Sequence, residues 1–95
     1  MNDINKELYP IQRFKIMGYL KQVERANYSS ISDFTELSYP EISKTVKFLE
    51  ERGYVNARKI RSGRYPETVV EISREGSQQF TDLLRALRKF SREDS

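Results

Sequence analysis

The sequence feature that most constrains the fold is a well-marked helix start at Ser38. The run Ser38–Glu41 contains a capping hydroxyl, a proline in the first turn and a glutamate at the third helical position. The Ser38 hydroxyl can accept a hydrogen bond from the Glu41 N–H while the Glu41 side chain reaches back to Ser38, which forms a capping box. Gly53 can adopt the left-handed conformation that often follows a helix. The pattern therefore predicts a helix over about 39–52.

The predicted helix has one apolar face and one polar face. Ile42, Val46 and Leu49 recur at helical spacing, so they are expected to pack on a core. The opposite face shows Tyr39, Ser43, Lys44 and Lys47. A helix of this size fits the major groove of DNA, where its N-terminal residues would face base edges.

Two further helices are predicted before this one, which indicates a helix-turn-helix. Apolar periodicity favours a first helix over about 10–23. Asn27–Ser29 can form a short strand, and Ser29 or Ser30 can cap a short second helix. The aromatic residues expected in the core are Phe14, Phe34 and Phe80.

A β-hairpin is predicted directly after Gly53. Residues 54–60 and 68–72 are rich in strand formers, and Gly63 and Pro66 mark the tip between them. This spacing predicts a tip longer than a two-residue turn. A hairpin that directly follows a helix-turn-helix is typical of a wing.

The predicted hairpin is basic. Between Asn56 and Pro66 there are four basic residues and no acidic one, namely Arg58, Lys59, Arg61 and Arg64. The net charge of the whole chain is only +3, so the local stripe is more informative than the total. A stripe of one sign suits phosphate groups, and the alternative is a solvated hairpin without a partner.

A last helix, over about 74–91, is predicted to carry a continuous apolar stripe. The members of the stripe are Phe80, Leu83, Leu84, Leu87 and Phe90. A domain of 95 residues has little capacity to cover so long a stripe by itself. Because a two-fold dimer is the commonest way to cover such a surface, we expect a homodimer held by this helix. The alternative is a helix that packs only on its own domain.

Several classes of function are disfavoured by residues that the chain lacks. There is no cysteine and no histidine, which excludes thiolate chemistry and zinc ligation by these residues. No nucleophile–base pair or phosphate-cradling glycine loop is visible, so we expect neither an enzyme nor a cofactor. The first nine residues do not resemble a secretory signal, and no stretch approaches the roughly 20 apolar residues of a membrane span. A cytoplasmic protein without a membrane partner is expected.

One continuous block carries a family resemblance. From Leu37 to Val55 the sequence reads Leu-Ser-x-x-x-Ile-Ser-Lys-x-Val-x-x-Leu-Glu-x-x-Gly-Tyr-Val. Together with the segments around it, over about 10–90, it resembles the stand-alone winged helix-turn-helix regulators related to the MarR and ArsR groups. The resemblance implies a recognition helix at 39–52, a wing tip near 61–65 and dimerisation through the terminal helices.

The chain departs from the family pattern at two positions. Glu36 stands where the family often has glycine, so a different turn is possible there. Phe48 stands where a polar residue is usual, which indicates a contact with the protein's own core, a partner or a ligand. The cysteine and histidine metal sites of some ArsR members have no counterpart, and no effector site is visible.

The expected fold is therefore α+β, mainly α. It is a single winged helix-turn-helix domain over 1–95, with a two- to three-stranded hairpin wing and a C-terminal dimerisation helix. The expected function is sequence-specific binding of double-stranded DNA as a dimeric transcriptional regulator. The candidate DNA-contacting residues are Tyr39, Pro40, Ser43, Lys44, Lys47, Arg58, Arg61, Arg64 and Tyr65. Tyr65 can instead cover the base of the wing, and the alternative function is a winged helix that binds another protein.

Overall fold

Helices and a small sheet alternate along the chain, as predicted. The structure, a computed structural model, describes residues 4–91, with the side chain of Ser62 excepted. The elements are α1 (Ile11–Val23), β1 (Arg25–Asn27), α2 (Tyr28–Thr35), α3 (Tyr39–Glu51), β2 (Val55–Ser62), β3 (Tyr65–Ile72) and α4 (Arg74–Ser91). This arrangement confirms the mainly helical winged-helix α+β fold.

The start of α3 has the predicted capping box. The Glu41 N–H donates to the Ser38 hydroxyl at 3.3 Å, and the Ser38 N–H donates to a Glu41 carboxylate oxygen at 2.9 Å. Both bonds satisfy backbone donors that a helix start leaves free. Gly53 follows the helix with a φ of +81°, the left-handed conformation predicted for it.

The predictions for the strand before α2 and for the cap of α2 need correction. The strand is Arg25–Asn27 rather than 27–29, because β1 pairs with β3 only over these residues. The cap of α2 is Asn27, whose side chain accepts from the Ser30 N–H at 2.8 Å, and not a serine. Glu36 adopts a left-handed conformation at the end of α2, with φ of 65°. A glutamate therefore takes the conformation that glycine adopts more easily.

The sheet is antiparallel, with strand order β1-β3-β2. Its β2–β3 hairpin closes on Gly63 and Arg64 alone, since Ser62 already pairs with Tyr65, so the prediction of a longer tip was wrong. Gly63 has the positive φ, +64°, that tight hairpin turns require. Pro66 is tolerated because β1 does not extend to this part of β3, which leaves β3 with a free edge there.

The core lies between the helices and one face of the sheet. Its fully buried side chains come from every layer: Leu8, Ile16, Met17, Leu20, Ile31, Ile42, Leu49, Val55, Val70 and Leu83. Phe80 is buried, and its ring lies 5.3 Å from that of the half-buried Phe14, as expected. The prediction for Phe34 was wrong. It is 54% exposed and stacks on Tyr19 at 4.5 Å, because α2 turns this residue toward solvent.

The apolar stripe of α4 divides into an inner and an outer row. Phe80 and Leu83 are buried in the core of their own chain, which corrects their predicted place in a dimer interface. Leu87 is partly buried against the same core. Leu84 and Phe90 are exposed at 37% and 69%. Within the stripe, Leu84, Phe90 and the uncovered part of Leu87 form an outer row that can contact another surface.

Candidate nucleic-acid interface

The exposed face of α3 is the first part of the candidate interface. The predicted contact residues Tyr39, Pro40, Ser43, Lys44 and Lys47 are all exposed. The other side of the helix is buried through Ile42, Val46 and Leu49, so the predicted division of faces is confirmed. The helix is thus anchored by its apolar side while its polar side stays open to a partner.

The wing forms the second part, and its strand register sorts the basic residues by face. Ala57 pairs with Val70, and both pack on the core side of the sheet. Because side chains alternate along a strand, Lys59 and Arg61 project from this same face. These two cations therefore lie on the side of the wing that faces α3.

The other predicted wing residues do not lie on the face of the wing that is directed toward α3. Arg58 lies on the opposite face, where its guanidinium is 3.8 Å from the carboxylate of Glu71. Arg64 lies at the exposed turn, and Tyr65 is 70% exposed beside it. The high exposure of Tyr65 disagrees with the alternative in which it covers the base of the wing.

A groove of about 380 Å³ separates α3 from the wing. Ser43, Lys47 and the acidic Glu50 line it from α3, and Arg58 and Lys59 line it from β2. Tyr28 also lines this groove, and its ring makes an edge-on contact with Tyr39 at 6.0 Å. Tyr28 and Lys59 are absent from the predicted contact residues. The alternation of side chains along the strand could have predicted the position of Lys59 in this groove. The position of Tyr28 depends on how α2 packs on α3, which the sequence does not show.

Phe48 has an intramolecular role. Its half-buried ring packs on the core, with the guanidinium of Arg13 at 3.7 Å and that of Arg52 at 4.4 Å from the ring centroid. Cations over an aromatic face are attracted to its negative potential. The aromatic residue at this position therefore ties the first turn of α1 to the end of α3.

The carboxylate of Glu7 adds hydrogen bonds to this connection between the region of α1 and the end of α3. Glu7 accepts a hydrogen bond from the Tyr54 hydroxyl at 2.7 Å and another from Arg52 Nε at 3.0 Å. These bonds stabilise the charged form, so the pKa of Glu7 lies below its ordinary value of 4.5. The segment before α1 is in this way attached to the α3–β2 junction.

We expect the Glu7 contacts to give a pH-dependent share of stability. Because the pKa is lowered by folding, this share is present above pH 4.5 and is lost as the pH falls below that value. The side chains of Glu7 and Arg52 are both partly exposed, so the share stays below about 1 kcal/mol. Urea unfolding of the wild type and Glu7→Gln should differ at neutral pH and converge in acid. A difference that persists unchanged in acid would contradict this.

The capped helix, the two helices that support it and the basic hairpin beside it define a winged helix protein. The family model for the winged helix DNA-binding domain matches residues 12–91. The chain therefore belongs to this family. The resemblance to the winged helix-turn-helix regulators is also confirmed.

Solved structures agree with this assignment. The chain is similar to the transcriptional regulator homologue protein from Pyrococcus horikoshii OT3, with 28% identity, a TM-score of 0.82 and coverage of 88% of this chain and 83% of that one. It shares the fold of NadR, solved with 4-hydroxyphenylacetate, at 14% identity and a TM-score of 0.76 over 90% of this chain and 60% of NadR. It also shares the fold of the ArsR family transcriptional regulator RHA00566, at 21% identity and a TM-score of 0.56 over 92% and 87%. No curated protein matches the sequence.

Membrane-spanning helices and metal-binding clusters are both absent from residues 4–91. No helix in this range combines the length and apolar character that crossing a bilayer requires. Within the same range, acidic side chains do not gather into a group of three that could hold a metal ion.

Proposed function

We propose that the chain is a transcriptional regulator that binds double-stranded DNA sequence-specifically as a homodimer. The observation that carries the proposal is the open polar face of α3 beside the cationic face of the wing. The major groove of B-DNA is about 12 Å wide and admits one helix. With α3 in that groove, Ser43, Lys44 and Lys47 meet base edges or nearby phosphates. Arg61 and Arg64 then meet the backbone or the minor groove.

The dimer is proposed from the outer row of α4. Leu84 and Phe90 are exposed, and Leu87 lies between them in sequence and is only partly covered. A second copy of this row would cover all three side chains, and a two-fold axis makes the same surface serve both chains. The two α3 helices would then enter successive major grooves about 34 Å apart, and the operator would be an imperfect palindrome.

We expect Leu84→Glu to shift the protein toward monomer, because a charge in an apolar interface is costly without a partner. Operator affinity should fall with it, since a monomer loses the effective concentration of the second half-site. Gln22→Glu, which adds the same charge at an exposed position of α1, is the control. Sedimentation equilibrium over a range of protein concentrations measures the mass. A wild type that remains at 11.3 kDa throughout would end the dimer proposal.

Duplex binding itself is tested by fluorescence anisotropy with labelled DNA of random sequence at several salt concentrations. Binding that weakens linearly on a logarithmic salt scale is the expected result, because phosphate contacts release counterions. The absence of binding even at low salt would reject the proposal and favour the protein-binding alternative. The same titration against a selected duplex then measures the sequence preference.

A further inference from the structure

A second groove lies against α3, away from the wing. It has a volume of about 370 Å³ and is formed by the start of α1 and the outer side of α3. Gln12 and Arg13 line it from α1, and Lys44 and Phe48 line it from α3. We refer to it as the α1–α3 groove.

The helical spacing of α3 places its two grooves on opposite flanks. Lys44 and Phe48 are four residues apart and share the flank of the α1–α3 groove. Ser43 and Lys47 are also four residues apart and share the flank that faces the wing. The exposed face of α3 therefore lies between two grooves, the one beside the wing and the α1–α3 groove.

The α1–α3 groove is suited to an anion. The Arg13 guanidinium is held in place by the Phe48 ring, at 3.7 Å, and donates to the Glu7 carbonyl oxygen at 3.1 Å. Lys44 is exposed at the rim. One acidic residue, Glu41, also lines the groove, but its carboxylate is turned back to the Ser38 N–H and hydroxyl at 2.9 and 3.2 Å. The groove is thus lined by two cations and by one carboxylate, and that carboxylate is already hydrogen-bonded.

We propose that, within each half-site, the α1–α3 groove binds backbone phosphates of the DNA strand that the wing of the same subunit does not contact. The major groove is bounded by one phosphodiester backbone on each side. A helix that lies in it with a wing on one flank brings its other flank against the second backbone. Lys44 and Arg13 pair with phosphate charge there, and the Gln12 amide donates to a phosphate oxygen. This inference rests on the proposed DNA binding and adds the position of the second strand.

Ethylation interference locates the contacts directly. A duplex selected by the wild type from a random pool is sparsely ethylated at its phosphates, and the bound fraction shows which ethylated positions block binding. We compare the wild type with Lys44→Gln, with Gln12→Glu, which adds a negative charge to the groove, and with the wing variant Arg61→Gln/Arg64→Gln. Arg74→Gln removes one cation at the exposed start of α4 and serves as the matched control. Circular dichroism melting checks that each variant is folded.

The expected result is that, within each half-site, the Lys44 and Gln12 variants lose interference at the same phosphates, on the strand opposite to those lost by the wing variant. Each should also bind the unmodified duplex about five- to tenfold more weakly near 0.1 M salt, as expected for one lost phosphate contact. Folded variants with the wild-type interference pattern, or with losses on the wing's strand of the same half-site, would overturn the inference. A wild type that selects and binds no duplex would instead reject the proposed function itself.

Discussion

Replacing Arg61 and Arg64 with alanine is expected to weaken binding to specific and random duplexes alike. Both side chains are exposed, Arg61 on the α3-facing side of the wing and Arg64 at its turn. Contacts to phosphate carry no base information, so sequence preference should be retained. If each residue contacts one phosphate, affinity falls by up to about 60-fold near 0.1 M salt, and the salt slope decreases by about two.

Anisotropy titrations at several salt concentrations measure both quantities. The control is the double variant Lys6→Ala/Arg74→Ala, which removes two exposed cations outside the wing and α3. It should have a much smaller effect on the salt slope, because neither residue belongs to the proposed interface. A wing variant with wild-type affinity and slope would remove the wing from the interface.

Gly76→Ala is expected to destabilise the fold by at least about 2 kcal/mol, in the upper part of the range for overpacked cores. Gly76 is buried in the first turn of α4, and an added methyl group would overlap the carbonyl oxygen of Tyr54. That oxygen cannot easily move, since it accepts from the Ser73 N–H at 3.0 Å at the start of the same helix. For a chain of this length, the melting temperature should fall by roughly 10 °C or more.

Gly18→Ala is the matched control for this prediction. Gly18 lies within α1, and its added methyl group would meet Phe80 at 3.5 Å, an ordinary packing distance. Alanine is favoured over glycine inside a helix by up to about 1 kcal/mol. The control variant should therefore be as stable as the wild type or more stable. Thermal unfolding of both variants tests the contrast, and equal melting temperatures would refute the close approach of α4 to Tyr54.

The parts of the fold that depend on local chemistry were predictable from the sequence. The capping box at Ser38 and the left-handed Gly53 involve residues that are neighbours in the chain, and both are as predicted. The tip of the hairpin was not predictable in the same way. Pro66 suggested a break, yet the ladder continues past it because β1 does not reach that part of β3. Whether a proline interrupts a strand depends on where the neighbouring strand ends, which is a property of the whole sheet.

In the candidate interface, too, the local features were predictable from the sequence and the tertiary contacts were not. The exposed face of α3 followed from helical periodicity. The sequence did not show which face of the sheet each basic residue of the hairpin occupies, because this depends on the register of β2 and β3. The register places Arg58 beside Glu71 and Lys59 on the side of α3. Arg13 appeared in the sequence as one of several polar positions on α1. Only its packing on Phe48, a contact across 35 positions of the chain, brings it beside α3.

The inner and outer rows of α4 illustrate why an apolar stripe does not by itself define an interface. Phe80 and Leu83 are buried in the core, whereas Leu84 and Phe90 are exposed, although Phe90 lies on the same side of the helix as Leu83, two turns further along. Helical spacing showed that these residues lie along one broad stripe. How much of a stripe its own chain covers depends on the position of the helix, and that position is set by tertiary packing.

The central claim, that α3 reads base edges in the major groove, is tested most directly by modified bases. A duplex selected by the wild type is prepared with 7-deazapurines, which lack the N7 acceptor of the major groove, one position at a time. A second series replaces guanine with inosine, which lacks only the minor-groove amino group. We expect 7-deazapurines at the few positions facing α3 to weaken binding by about 1–3 kcal/mol, while inosine at those positions has little effect. Uniform tolerance of 7-deazapurines, together with sensitivity to inosine, would contradict the claim.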